Sequence, residues 1–205
     1  MPSVVHDFDA KLAASDSAQI RGLVGQSLHK NVGSDFLKLH KTALDNDLHG
    51  ADYLAEFRHG RTRLIEAKVR REDWLPRGQE ADLALETWAD VDAETPGWTR
   101  DFTKLSDFIV FAWLDTGRTL LLDARLLRAW FSESWVNLRK DFGFKIIPSQ
   151  RGSRTWRSET VYVPHRQVVA QLAYRQGYVQ KLPGSRLSDS RNQAANLDPT
   201  AQNAP

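Results

Sequence analysis

Residues 51–70 read ADYLAEFRHGRTRLIEAKVR, and this stretch decides the fold. Asp52 to Arg58 and Arg61 to Arg70 read as two strands, with His59-Gly60 at the turn of an antiparallel hairpin. In the second strand Glu66 and Lys68 stand two residues apart, so both point to one face. Ile65, Ala67 and Val69 fill the opposite face and are expected in a core. Charges on such a strand are costly to bury unless they find partners or a metal. Asp52 opens the partner strand, in His49-Gly50-Ala51-Asp52. A two-residue loop at His59-Gly60 would pair Tyr53 with Glu66 and send Asp52 to the wrong face. A bulge, or a three-residue loop at His59-Gly60-Arg61, would instead bring Asp52 opposite Glu66 or Lys68.

Upstream of the hairpin, Ile20, Leu23, Val24 and Leu28 recur at helical spacing, with Ser15, Asp16 or Ser17 as the cap. The spacing predicts a second helix from Asp35 to Leu44, after a break at Gly33-Ser34. Downstream, Asp82–Trp88, Asp107–Leu114 and Thr119–Asp123 read as strands, with a turn at Asp115–Arg118. A helix rich in Leu and Trp is expected from Ala124 to Leu138, a last strand over Thr160–Val163, and a final helix over Arg166–Arg175. Ser149–Arg157 is expected as a polar, basic loop. The order predicts an α/β or α+β domain around one sheet.

Composition narrows the function. The 205 residues, 41% hydrophobic and with seven tryptophans, can build a sizeable core. They predict one domain over residues 1–183, followed by a disordered tail over 184–205 that is poor in large apolar side chains. Zero cysteines exclude disulfides, cysteine–zinc sites and thiol nucleophiles. No apolar run is long enough for a membrane span and the start lacks a signal pattern, so a soluble, cytoplasmic protein is expected. The net charge of +2 hides two basic segments, Arg58–Arg77 and Lys145–Arg175, and an acidic one between Ala81 and Glu94. Such segments suit a polyanionic partner.

The hairpin resembles the PD-(D/E)xK nuclease superfamily, in which an acid on one strand precedes an acid-x-Lys on the next. Here the elements are Asp52 and then Glu66-Ala67-Lys68, with Ala51 where the family name has proline. The resemblance covers residues 15–72 and implies a restriction-endonuclease-like core, a mixed central sheet flanked by helices. It implies Mg2+, with Mn2+ substituting, held by Asp52, Glu66 and the carbonyl of Ala67. Such an ion polarises the phosphate and activates a water. Lys68 then orients that water and offsets charge in the transition state. Asp9-Ala10-Lys11 is a second acid-x-Lys, but it has no upstream carboxylate strand.

The implied activity is that of a metal-dependent DNA endonuclease, with DNA favoured over RNA and a homodimer favoured if both strands of a duplex are cut. Its expected nucleic-acid contacts are Arg63, Arg70, Arg71, Arg100, Arg151, Arg154 and Arg157. Glu86 is expected either as an additional metal or water ligand or as a residue that caps a strand end or pairs with an arginine. Asp16, Gln19 and Gln26 on the first helix are weaker candidates, and Trp98 reads as a core residue ahead of a base-stacking one. If Lys68 serves catalysis, its removal is expected to relieve repulsion with nearby arginines in the metal-free protein; if it is the structural partner of Glu66, its loss is expected to destabilise the fold. One rival reading is purely structural, a salt-bridged Glu66–Lys68 pair on an edge strand with Asp52 as a turn residue; another is a non-catalytic nucleic-acid- or protein-binding module on the same fold.

Overall fold

A computed structural model describes residues 6–7, 17–42, 49–73, 76, 78 and 81–176. The expected tail, Asp9-Ala10-Lys11, Ser15 and Asp16 lie outside the described residues. Helix α1 (Ala18–Val32) begins where the Ser17 side chain accepts a hydrogen bond from the Ile20 amide, and it ends at Gly33 with φ 70°. A single 3-10 turn, Gly33–Asp35, leads into strand β2 (Phe36–Lys41), where a helix was expected. Strands β3 (Tyr53–Phe57) and β4 (Thr62–Arg70) form the expected hairpin. The chain then runs through β5 (Asp82–Asp90), β6 (Thr95–Pro96), β7 (Phe108–Trp113) and β8 (Thr119–Asp123). Helix α2 (Ala124–Phe142) follows, capped by the Asp123 carboxylate on the Leu126 amide.

Two five-stranded mixed sheets result where one was expected. The first has the order β2-β3-β4-β7-β8, with β4 and β7 parallel and the other pairs antiparallel. Strands β9 (Lys145–Arg151) and β10 (Arg154–Pro164) join β5, β6 and β1 (His6–Asp7) in the second, ordered β1-β9-β10-β5-β6. The Ser149–Arg157 segment, expected as a loop, is a two-residue hairpin. Arg151 pairs with Arg154 across Gly152, whose φ of 58° only the absence of a Cβ makes easy. Helix α3 (His165–Gln176) closes the described chain, and no described helix is long and apolar enough to cross a membrane.

Each face of the first sheet has its own cover. Ile20, Val24 and Leu28 of α1 pack on Tyr53, Ala55, Phe57, Ile65 and Val110, with Ala67 and Val69 at the margin. This is the core face expected for β4. On the other face, Ile109, Phe111 and Trp113 pack with Leu127, Trp130 and Phe131 of α2 and with Leu83, Leu85, Val161 and Val163 of the second sheet. Each fully buried side chain of this size contributes about 1.5–3 kcal/mol relative to exposure. Glu66, Lys68 and Arg70 lie on this second face, since Glu66 pairs with Ile109, Lys68 with Phe111 and Arg70 with Trp113. Strand β4 is therefore central, not the edge strand of the purely structural reading.

Candidate functional site

The register of the hairpin is what builds the site. Tyr53 pairs with Ile65 and Leu54 with Leu64, so one residue beyond the ladder Asp52 stands across from Glu66. The loop has three residues, as the site requires, but it is Arg58-His59-Gly60, closed by the Phe57 amide on the Arg61 carbonyl at 2.8 Å. His59 at φ 62° and Gly60 at φ 69° are both left-handed. The Asp52 carboxylate accepts the amide of Ala67 at 2.6 Å. Within a strand a residue's N–H and C=O point the same way, so the Ala67 carbonyl also faces the Asp52 side.

Glu66 is 4% exposed and lies between two cations. Its Oε1 is 2.5 Å from Lys68 Nζ, and its Oε2 accepts from Arg128 at 3.3 Å and from Ser106 Oγ at 3.2 Å. Arg128, 2% exposed on α2, also donates to the carbonyls of Trp98, Lys104 and Ser106 and to Ser106 Oγ. One guanidinium thus ties the 98–106 loop to β4. Its charge is compatible with that depth because a carboxylate and three carbonyls replace water. Sequence reasoning missed Arg128: its only trace is a cation on a helix whose neighbours Leu127, Trp130 and Phe131 are all core residues.

Lys68 has its Nζ 4.4 Å from the centroid of the Trp98 ring. Burial works against its charge, but Glu66, Asp52 and Glu86 outweigh that and hold its pKa above the ordinary lysine value. The ammonium is cationic at any physiological pH. Glu86 comes from β5 in the second sheet, and its Oε2 accepts the Trp98 amide at 3.1 Å. Burial pushes its carboxyl pKa up, and Glu66 adds to this; Lys68, the Trp98 amide and Lys104 pull the other way. The turn that delivers Trp98 needs glycine at 97, because a Cβ there would sit 2.2 Å from the Glu86 carbonyl oxygen. Trp98 packs against the core, as the sequence reading favoured.

Asp52, Glu66, Lys68 and Glu86 are thus brought together, while the expected nucleic-acid contacts are dispersed. Arg70 shares the face of Lys68, with its guanidinium 5.7 Å from the Tyr162 ring. Arg63 pairs with Ala55 and so lies on the α1 side of the sheet. Arg71 is exposed just past β4. Arg100 is stacked between Trp88 and Trp135 at 4.3 and 4.2 Å and donates to the Thr87 carbonyl, a packing role. Arg154 pairs with Asp90 and Arg157 with Asp92; exposed Arg151 shares their hairpin. Gln19 and Gln26 are exposed on α1, which covers the face opposite Glu66.

Among the described residues, no three His, Cys, Asp or Glu side chains form a metal cage by themselves. Magnesium does not require one, since it is commonly held by one or two carboxylates, waters and substrate phosphates. The hard oxygens of Asp52, Glu66 and the Ala67 carbonyl fit such an ion. A carboxylate's several lone pairs leave Glu66 capacity beyond its two cations. The chain matches no family model, no curated protein and no solved structure.

Proposed function

We propose that the chain is a magnesium-dependent phosphodiesterase of the PD-(D/E)xK type with a restriction-endonuclease-like core, acting on nucleic acid and on DNA ahead of RNA. One observation carries the reading: Asp52 opposite Glu66 across the hairpin, with Lys68 one step along the same face and Asp52 held on the Ala67 amide. The order of α1, the β2-β3-β4 meander and a parallel strand beside β4 supports it.

In this reading Asp52, Glu66 and the Ala67 carbonyl would hold the ion, which when bound would acidify a water and polarise the phosphate. Lys68 stays protonated among three carboxylates, so it serves as a donor and a positive charge toward the phosphoryl oxygens, not as a base. Glu86 of the second sheet and the Trp98 ring of the 98–106 loop face the ammonium. Arg128 acts through Glu66 as a positioning residue.

A non-catalytic binding module is the second reading, favoured by the engagement of both Glu66 oxygens by Lys68 and by Arg128 with Ser106. The test is incubation of the purified protein with plasmid and single-stranded DNA. Cleavage that appears with magnesium and stops on chelation is the expected result. Intact substrates at all magnesium and manganese concentrations, from a protein that still binds them, would favour the module.

A further inference from the structure

We propose that Arg70, Tyr162 and Lys145 form a phosphate-binding subsite that takes a nucleic-acid strand beside the Lys68 centre. The inference rests on the phosphodiesterase reading and deepens it. Arg70 follows Lys68 by two positions on β4, which puts it on the same face about 7 Å farther along. The second sheet presents a matching face. Glu86 pairs with Thr160 and Ala84 with Tyr162 between β5 and β10, while Lys145 of β9 pairs with Thr160 from the other side. Directly paired residues project to the same side of a sheet, so Glu86, Tyr162 and Lys145 share one face. The two sheets thus set Lys68 near Glu86 and Arg70 over Tyr162.

The charges differ at these two levels. Lys68 is surrounded by Asp52, Glu66 and Glu86. One step along, two cations from different strands reach a single ring: the Arg70 guanidinium at 5.7 Å and the Lys145 ammonium at 4.8 Å from the Tyr162 centroid. Neither forms an ion pair with a carboxylate among the described residues, whereas Arg61, Arg118, Arg128, Arg139, Arg157 and Arg175 each do. The negative face of the tyrosine attracts both cations but does not neutralise them. Like charges gathered without an acid leave a positive spot that a dianionic or diester phosphate would complete. A strand with one phosphate at Lys68 would carry the next along β4 to this spot.

The test is metal-free, so it is independent of cleavage. Anisotropy of a labelled single-stranded oligonucleotide is measured over a salt series in EDTA. The proteins are the parent chain, Arg70→Gln, Lys145→Gln and the double variant; glutamine keeps most of each stem in place. Arg21→Gln, exposed on the helix that covers the opposite face, controls for net charge. Each subsite variant is expected to lower the slope of log affinity against log salt by about 0.7, and the double variant by about 1.4. Affinity at moderate salt should fall several-fold, with the control unchanged. A double variant with the parent slope and affinity overturns the subsite, as does an equal loss in the Arg21 variant. Subsite binding without any magnesium-dependent cleavage would leave the subsite standing and sink the phosphodiesterase reading.

Discussion

Arg128 joins three parts of the site through one guanidinium, and it is the residue that sequence spacing had no means to find. It follows Glu66 by sixty-two positions on a helix whose visible signal is its apolar stripe. Arg128→Met would leave the Trp98, Lys104 and Ser106 carbonyls without their shared donor and Glu66 with Lys68 and Ser106 alone. Breaking one side of a buried pair costs about 3–5 kcal/mol, to be read by chemical denaturation; a loss below 1 kcal/mol would mean that the network is ornamental. Glu86 gives a pH test. Its raised pKa means that the folded chain keeps the proton to higher pH than the unfolded chain does. The stability this contributes is complete below the ordinary carboxylate range and is lost as pH rises through the folded value. Glutamine can still accept the Trp98 amide but never ionises. The melting temperature of Glu86→Gln relative to the parent should therefore be more favourable at pH 8 than at pH 4. A flat or reversed difference would mean that Glu86 ionises in the fold as freely as in water. By contrast, Glu66 and Lys68 were legible from a two-residue period alone, because a charged pair facing one way on a strand whose other face is Ile65, Ala67 and Val69 has few structural explanations.

At the scale of elements, the turn decides the register and the register decides the site. The Arg58-His59-Gly60 loop sets Asp52 opposite Glu66, but it does so with a β-carbon in the left-handed region at His59. Asparagine tolerates that conformation better than histidine does. His59→Asn should raise stability by up to about 1 kcal/mol and leave site chemistry unchanged. A loss of stability in urea melts would show that the imidazole makes interactions that outweigh the strain. The three-residue loop was readable because the alternative puts Asp52 on the core face. Strand β2 was not readable: Phe36 and Leu39 are three apart, which suits a helix, and the strand is fixed only by pairing with β3 across a register shift. Strand β9 and the first half of β10 were hidden for a similar reason. Their polar residues read as loop, and only Thr160–Val163 read as strand; pairing with β9 extends β10 back to Arg154.

For the molecule as a whole, the α+β class and most element positions followed from periodicity, whereas the two-sheet arrangement depends on which strands β5 and β10 choose as neighbours. That choice places Glu86 and Trp98 against Lys68 and scatters the arginines of the two basic segments, with Arg61, Arg154, Arg157 and Arg175 in ion pairs. It also reverses one expectation. Lys68 is surrounded by Asp52, Glu66 and Glu86, not by arginines, so its removal should lower metal-free stability whether or not the protein is an enzyme. Melting therefore does not separate the two readings, and cleavage does. The decisive measurement compares the parent chain with Lys68→Gln on supercoiled plasmid in magnesium, at a temperature where circular dichroism shows both folded and manganese titration shows both binding the ion. The account predicts that the parent cuts and that the variant loses at least about a hundredfold in rate, the scale of a removed transition-state donor. A parent that leaves the plasmid intact, or a variant that cuts as fast as the parent, would contradict it.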